Sequence, residues 1–320
     1  MDESRKLSPY VSIVVPFYNE EECVGALYKK VRRVGESLGM PYEVVFVDDG
    51  SRDRTYDILQ SIRKQDPLVR VIRFRKNYGQ TAAMVAGFDH ARGDIIVSMD
   101  GDLQNDPADI PLLLAKLDEG FDVVCGWRKN RQDKFLTRRL PSLIANWIIG
   151  QVTGVKIHDN GCSLKAYRSS TIKKVPLYGE MHRFIPAMST QADARIAEIV
   201  VNHHPRRFGT SKYGISRVWR VLLDIITVKM ITGFSARPML WFGFMSLPFI
   251  LLALATIATS AMGSAELVPD EWTVMYTVAF SFFFLGFHLI GLGIIGELTM
   301  RTGDFVPAQS LVPAVQRKDN

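Results

Sequence analysis

The sequence predicts an α/β fold, a parallel sheet with helices on both faces, followed by two membrane-spanning helices. Three observations carry this. Short β-branched runs alternate with amphipathic helical stretches over the first 125 residues. The polar clusters YNE, DDGS and DGDLQ close three of those runs. Charge then vanishes from two long stretches after residue 236.

The elements follow in order. Residues 1–10 are polar, read as a disordered leader, and lack the apolar core of a signal peptide. Val11–Val15 is a buried strand ending at Pro16. Asn19 is expected to cap the next helix, with Glu22 completing a capping box, and Val24, Leu27, Val31, Val34 and Leu38 form its apolar face. Glu43–Val47 is a second strand, a helix starts at Asp53, and Val71–Phe74 is a third strand. Gln80–Ala91 is a helix of small residues, and Asp94–Met99 a fourth strand ending at Asp100. In such sheets ligands bind beyond the carboxyl ends of the strands, where the polar clusters lie.

Residues 126–213 are looser and rich in Arg, Lys and Gly; the catalytic domain is placed over 11–213. Residues 214–236, with Arg217, Arg220 and Lys229, suit an amphipathic helix in the membrane interface. A transmembrane hairpin is expected over 237–300, its spans about 238–262 and 273–296, and a tail over 301–320. The connector AELVPDEW holds three acids and no base, whereas Arg237, Arg301, Arg317 and Lys318 flank the spans. The positive-inside rule then predicts an integral protein of the inner or plasma membrane, with both termini and the catalytic domain cytoplasmic.

The net charge of +6 suits an anionic partner, whether nucleic acid, lipid headgroup or phosphorylated substrate. Cys23, Cys125 and Cys162 are odd in number and form no CxxC pair, which argues against a disulfide framework or a zinc site.

Asp100-Gly101-Asp102-Leu103-Gln104 carries the chemistry. Two carboxylates at i and i+2 after a strand can converge on Mg²⁺ or Mn²⁺, which take oxygen ligands and bridge to substrate phosphates. Asp48-Asp49-Gly50-Ser51 offers a carboxylate to a uracil or ribose, and Tyr18 a ring to a base. Each cluster alone also reads as a turn or a helix cap. Three of them at three strand ends argue for a site.

VSIVVPFYNE, VDDGSRDRT, RKNYGQTAAMVAG and MDGDLQNDP together resemble the family 2 glycosyltransferases of GT-A fold, over residues 10 to 235. Within that family the match is to the dolichyl-phosphate mannose synthase and bactoprenol glucosyltransferase group. The two-helix tail resembles the bactoprenol branch. The resemblance implies that Pro16, Tyr18, Glu20, Val47 and Asp49 contact the nucleotide. It implies that Asp100, Gly101, Asp102 and Gln104 surround the metal and diphosphate, with Asp100, Asp102 and Gln104 as metal ligands. The family's G-x-R element matches Gly126-Trp127-Arg128, its R-x-x-x-S element Arg138 to Ser142, and its R-x-x-G-x-S-K element Arg206, Gly209, Ser211 and Lys212. Arg128, Arg138 and Ser142 would then bind the acceptor phosphate, and Arg206 and Lys212 the donor diphosphate. Arginine suits phosphate oxygens through its bidentate fork.

Asp159, in HDNGCSLKAYR, matches the family's D-x-x-S-G-F-R segment and is the catalytic candidate, although Gly161-Cys162 stands where others often have Ser-Gly. A polyprenyl phosphate is already anionic and needs no general base. That leaves Asp159 as orienter of the acceptor or its arginines, or as electrostatic stabiliser, beside the role of base. The reaction implied is an inverting transfer of a hexose, glucose from UDP-glucose, to polyprenyl (undecaprenyl) phosphate. GDP-mannose, UDP-GlcNAc or a UDP-aminoarabinose derivative are the alternative donors. A processive polysaccharide synthase is a further alternative, though its Q-x-x-R-W motif is lacking. The partners expected are a nucleotide-sugar, the lipid acceptor and the bilayer, with no nucleic acid. Gly286, His288, Gly291 and Gly293 suggest packing against another subunit in a homo-oligomer. The GxGxxG of Gly291 to Gly296 lies in an apolar span, so helix packing explains it better than a dinucleotide does.

Overall fold

Strands buried on both faces need β-branched side chains on both, and the first two strands have them. β1 (Val11–Phe17) and β2 (Tyr42–Asp48) pair in parallel from Val11↔Tyr42 to Phe17↔Asp48. In the computed structural model, which describes residues 10–129, 140–177, 179–205, 227, 237–262 and 269–302, these strands centre a seven-stranded sheet of order β3-β2-β1-β4-β6-β5-β7. The others are β3 (Val69–Arg73), β4 (Ile95–Ser98), β5 (Val123–Trp127), β6 (Lys165–Arg168) and β7 (Ile196–Val200).

The two-residue period of the strands sorts the helices between the faces. Val11, Ile13, Val15 and Phe17 point to one face. There they meet Val24, Leu27 and Val31 of α1 (Glu21–Ser37), Leu59 of α2 (Thr55–Gln65) and Leu113 and Leu117 of α4 (Ile110–Asp118). Val14 and Val47 point to the other face, where α3 (Gln80–His90) lies so close that a Cβ on Gly87 would stand 2.2 Å from Val14 Cγ1.

Two local expectations are corrected. Asn19 does not cap α1: its backbone is left-handed (φ 53), its Oδ1 accepts the Arg52 N–H at 2.8 Å, and its own N–H donates to Ser51 Oγ at 3.0 Å. Glu20 holds the N-cap position without a side-chain capping bond, so no capping box with Glu22 forms. The residues expected to start the helix instead clasp the β1 and β2 loops together. Likewise α2 begins at Thr55, and Asp53 accepts the N–H groups of Thr55 (3.0 Å) and Glu21 (3.2 Å).

The sheet is also not wholly parallel. β6 runs antiparallel to β4 and β5. β5 ends at the carboxyl edge, and the chain enters β6 from that same edge after α5 (Leu140–Thr153). A neighbouring strand entered from the edge its partner left is antiparallel. The segment before β6 is thereby brought to the edge where the β1, β2, β4 and β5 loops lie. Two short helices, α6 (Ser169–Ile172) and α7 (Ile185–Ser189), precede β7. Cys23, Cys125 and Cys162 are buried, and none of them is in a disulfide.

The described residues fall into two compact units, before and after residue 228. The second holds α8 (Pro238–Met262) and α9 (Pro269–Thr302), both long and apolar enough to cross a membrane. Only 11% and 17% of their most apolar windows are buried, unlike core helices of a soluble protein. Phe244, Phe280 and Phe287 stand exposed on these helices. A Cβ on Gly286 would meet Ile250, one on Gly293 Phe242 and Met239, and one on Gly296 Pro238. Gly286 and Gly293 therefore serve the hairpin's own packing, and His288 stacks on Phe284. The leader up to residue 9, the interfacial helix apart from Thr227, and the tail from 303 lie outside the described residues.

Candidate active site

The loops after β1 and β2 are tied to one another by side chains acting on backbone groups. Ser51 and Arg52 hold Asn19, and Thr55 Oγ1 accepts the Glu20 N–H at 2.9 Å. Pro16, Tyr18 and Glu20 are half-buried along this clasp. Val47 is wholly buried with its side chain towards Gly87, so any nucleotide contact it makes is through its backbone.

Asp49 works as a clamp. Its Oδ1 accepts the Tyr78 N–H at 2.7 Å, and its Oδ2 accepts Asn77 Nδ2 (2.8 Å) and the Gly79 N–H (3.0 Å). This fixes the start of α3, from which Gln80 Nε2 donates to Asp100 Oδ1 at 2.6 Å. Burial pushes the Asp49 carboxyl up to about 6, against the pull of its two backbone N–H bonds. The folded state therefore holds the proton more tightly than the unfolded chain does. The resulting contribution to stability is full below the unfolded value of 3.8 and is lost as pH rises through about 6. The stability of the parent relative to Asp49→Asn is expected to fall between pH 4 and 6, by at most about 3 kcal/mol. Thermal melts of both proteins across that range test this, and a difference that stays flat or rises with pH refutes it.

The Asp100–Gln104 loop is built for close approach. A Cβ on Gly101 would lie 2.5 Å from the Phe17 ring, so a side chain there displaces the ring or the loop. Leu103 is left-handed at φ 62. Asp102, 9% exposed, accepts the Gln104 N–H at 3.1 Å. Gln104 Nε2 lies 3.5 Å from the His204 carbonyl. Ser163 Oγ accepts the Asp100 N–H (3.2 Å) and Asn105 Nδ2 (2.7 Å), joining this loop to the entry of β6. Burial raises the Asp100 carboxyl and the charge of Asp102 raises it further, against the pull of Ser163, Arg128 and Lys165. Two carboxylates forced together in this way suit a divalent cation. Among the described residues no three His, Cys, Asp or Glu form a metal cluster, so the remaining ligands would come from substrate and water.

Arg128 and Asp159, 31 residues apart, form one unit. The guanidinium donates to Asp159 through Nε at 2.7 Å and Nη2 at 2.9 Å, with side chains only 13% and 4% exposed. Burial acts against the guanidinium charge, but the Asp159 bonds outweigh it and hold Arg128 above its ordinary value. Glu198 on β7 supports the pair by accepting the N–H groups of His158 (3.2 Å) and Asp159 (3.0 Å). Trp127 stacks on His158 at 4.3 Å.

Sequence reasoning named Arg128 and Asp159 and offered Asp159 as an orienter of the acceptor's arginines, without singling out Arg128 as its partner. It quoted Asn77 and Gln80 within a motif and gave them no role. Ser163 stood within the quoted HDNGCSLKAYR segment without a role, and Glu198, an acid in a short strand, left no signal. Arg138, Arg206 and Lys212 lie outside the described residues, as does the Ser142 side chain, whose backbone belongs to α5.

A family model described as glycosyl transferase family 2 matches residues 12–176. A dodecaprenyl-phosphate galacturonate synthase of Rhizobium johnstonii is 43% identical over 91% of this chain and 88% of its own. An undecaprenyl-phosphate 4-deoxy-4-formamido-L-arabinose transferase of Edwardsiella ictaluri is 35% identical over 95% and 93%, and one of Pseudomonas fluorescens 38% identical over 90% and 84%. Among solved structures, glucosyl-3-phosphoglycerate synthase of Mycobacterium tuberculosis with Mn²⁺, UDP and phosphoglyceric acid covers 72% of this chain and 80% of its own. Its TM-score is 0.56 at 18% identity, a likeness of fold.

Proposed function

The chain belongs to glycosyl transferase family 2, and on that premise we propose that it transfers a sugar from a nucleotide-sugar to a polyprenyl phosphate at the cytoplasmic membrane face. The observation that carries this reading is the pairing, on one sheet edge, of two functions. A two-carboxylate loop suits a metal-bound diphosphate, and a buried guanidinium, locked by Asp159, suits a phosphate. The bond from the anomeric carbon to the nucleotide diphosphate breaks as a lipid phosphate oxygen forms its own bond on the opposite face, with inversion. The nucleophile carries its charge already, so no proton need move.

Asp100 and Asp102 would hold Mg²⁺ or Mn²⁺ with Gln104 beside them; both acids offer the hard oxygens these ions take. When bound, the ion neutralises charge on the departing diphosphate. Pro16, Tyr18, Glu20, Val47 and Asp49 line the nucleotide, Arg206 and Lys212 its diphosphate, and Arg128, Arg138 and Ser142 the acceptor phosphate. Asp159 orients Arg128. The α8–α9 hairpin anchors the enzyme with both termini cytoplasmic, beside a lipid substrate that stays in the bilayer, in a homo-oligomer.

The sugar follows the relatives rather than the glucose expected from the bactoprenol resemblance. Their names carry galacturonate and 4-deoxy-4-formamido-L-arabinose, and the 43% match spans nearly the whole chain. A UDP-activated galacturonate is the first donor, with UDP-glucose behind it. The test uses full-length protein in nanodiscs with undecaprenyl phosphate, Mg²⁺ or Mn²⁺, and labelled UDP-galacturonate, UDP-4-deoxy-4-formamido-L-arabinose and UDP-glucose. Label from galacturonate is expected in the lipid phase. No transfer from any donor by a folded, UDP-binding protein sinks the reading.

A further inference from the structure

Lys165 has no part in the chemistry above, yet its place is unusual for a lysine. It opens β6 between Ser98 of β4 and Cys125 of β5 and is only 2% exposed. Among the described residues no carboxylate forms an ion pair with it. Its Nζ donates instead to two backbone carbonyls, of Asn160 at 3.2 Å and of Cys162. A buried ammonium with no acid within ion-pair reach is costly, and an apolar chain of similar length would fill the slot more cheaply. Packing therefore does not account for it.

The two carbonyls do. They flank Gly161 in the turn that follows Asp159, whose carboxylate grips Arg128. That turn is packed tightly against the guanidinium: a Cβ on Gly161 would stand 3.3 Å from Arg128 Nη2. Glu198 fixes the turn from the Asp159 N–H side, and Lys165 fixes it from the carbonyl side. The Lys165 charge also acts favourably on Asp100.

We propose that Lys165 is a positioning residue, whose buried ammonium clamps the Asn160–Cys162 turn so that Asp159 presents the Arg128 guanidinium to the acceptor phosphate. The inference rests on the reading of Arg128 as the phosphate-binding group. Two measurements on the full-length protein in nanodiscs separate the two: hydrogen exchange of the 159–163 turn, and affinity for farnesyl phosphate beside UDP. Lys165→Met is expected to speed exchange of the turn and leave β1–β3 unchanged. It should weaken farnesyl phosphate about 10-fold and leave UDP within about twofold, since the loops at the β1 and β2 ends are untouched. Lys165→Arg, whose fork can reach both carbonyls, should restore both readouts. Where the methionine variant does not fold, Lys165→Gln removes the charge and keeps one donor, and the same pattern is expected in weaker form. Unaltered exchange of the turn in either variant overturns the clamp, as does equal weakening of UDP and farnesyl phosphate. A parent protein that fails to bind farnesyl phosphate counts against the acceptor assignment, and the exchange of the turn still decides the role of Lys165.

Discussion

Asp102→Asn is expected to lower sugar transfer about 10³-fold or more while raising the melting temperature of the metal-free protein. The two effects have one cause. Asparagine keeps the shape and can still accept the Gln104 N–H that Asp102 accepts at 3.1 Å, so the loop keeps its form. It removes the charge that pushes the Asp100 carboxyl up. At pH 8, above the value of about 6 to which Asp100 is raised, that repulsion works against the folded state, and its relief is worth about 2–4 °C for each kcal/mol regained. The same charge is what a divalent ion binds, so added Mg²⁺ or Mn²⁺ should stabilise the parent and leave the variant where it is. Melts in EDTA and in excess metal, beside the lipid-phase transfer assay, read both halves. A variant that keeps transfer within about 10-fold of the parent removes Asp102 from the metal site. One that melts lower in EDTA shows that the pair is not strained.

The sheet was legible in the sequence where burial is symmetrical. β1 and β2 are covered on both faces and so are written in continuous apolar runs, and the stripe of α1 needs one face and shows one. The two apolar helices were legible for a related reason: twenty-odd uncharged residues have few other uses. β6 was hidden because four residues, KAYR, carry no period, and its opening lysine looks like surface. The Asn19–Glu22 capping box failed because a local rule met a long-range competitor, with Ser51 and Arg52 arriving from the β2 loop to take the groups that would have capped. The candidate site was legible as polar clusters at strand ends. Its connections were not, because they join segments far apart in the chain, such as Asp49 with 77–79, Gln80 with Asp100 and Arg128 with Asp159. Sequence spacing carries no record of such pairs. The antiparallel entry of β6, itself unread, is what brings the last of them together.

That last pair bears on the role proposed for Asp159, and the variants at it are expected to divide sharply. Asp159→Ala leaves a guanidinium that is 13% exposed without its partner, a loss of about 3–5 kcal/mol for a buried pair. The protein should melt many degrees lower, and its activity then says little about chemistry. Asp159→Asn keeps the volume and one acceptor, so it is the informative variant. Both carboxylate oxygens are engaged by Arg128, at 2.7 and 2.9 Å, so the carboxylate acts on the substrate through the arginine it holds. Asp159→Asn should then raise KM for the lipid phosphate about 10- to 100-fold with a smaller effect on the donor KM. Combined with Arg128→Ala it should add little, because once the guanidinium is gone there is nothing left for Asp159 to orient. An Asp159 that takes a proton or faces the anomeric carbon directly gives the other pattern: a loss in kcat, and single losses that multiply in the double variant. The proposed acceptor, a lipid phosphate, arrives already ionised and needs no base, and the Arg128 contacts occupy both carboxylate oxygens, so the first pattern is the one expected.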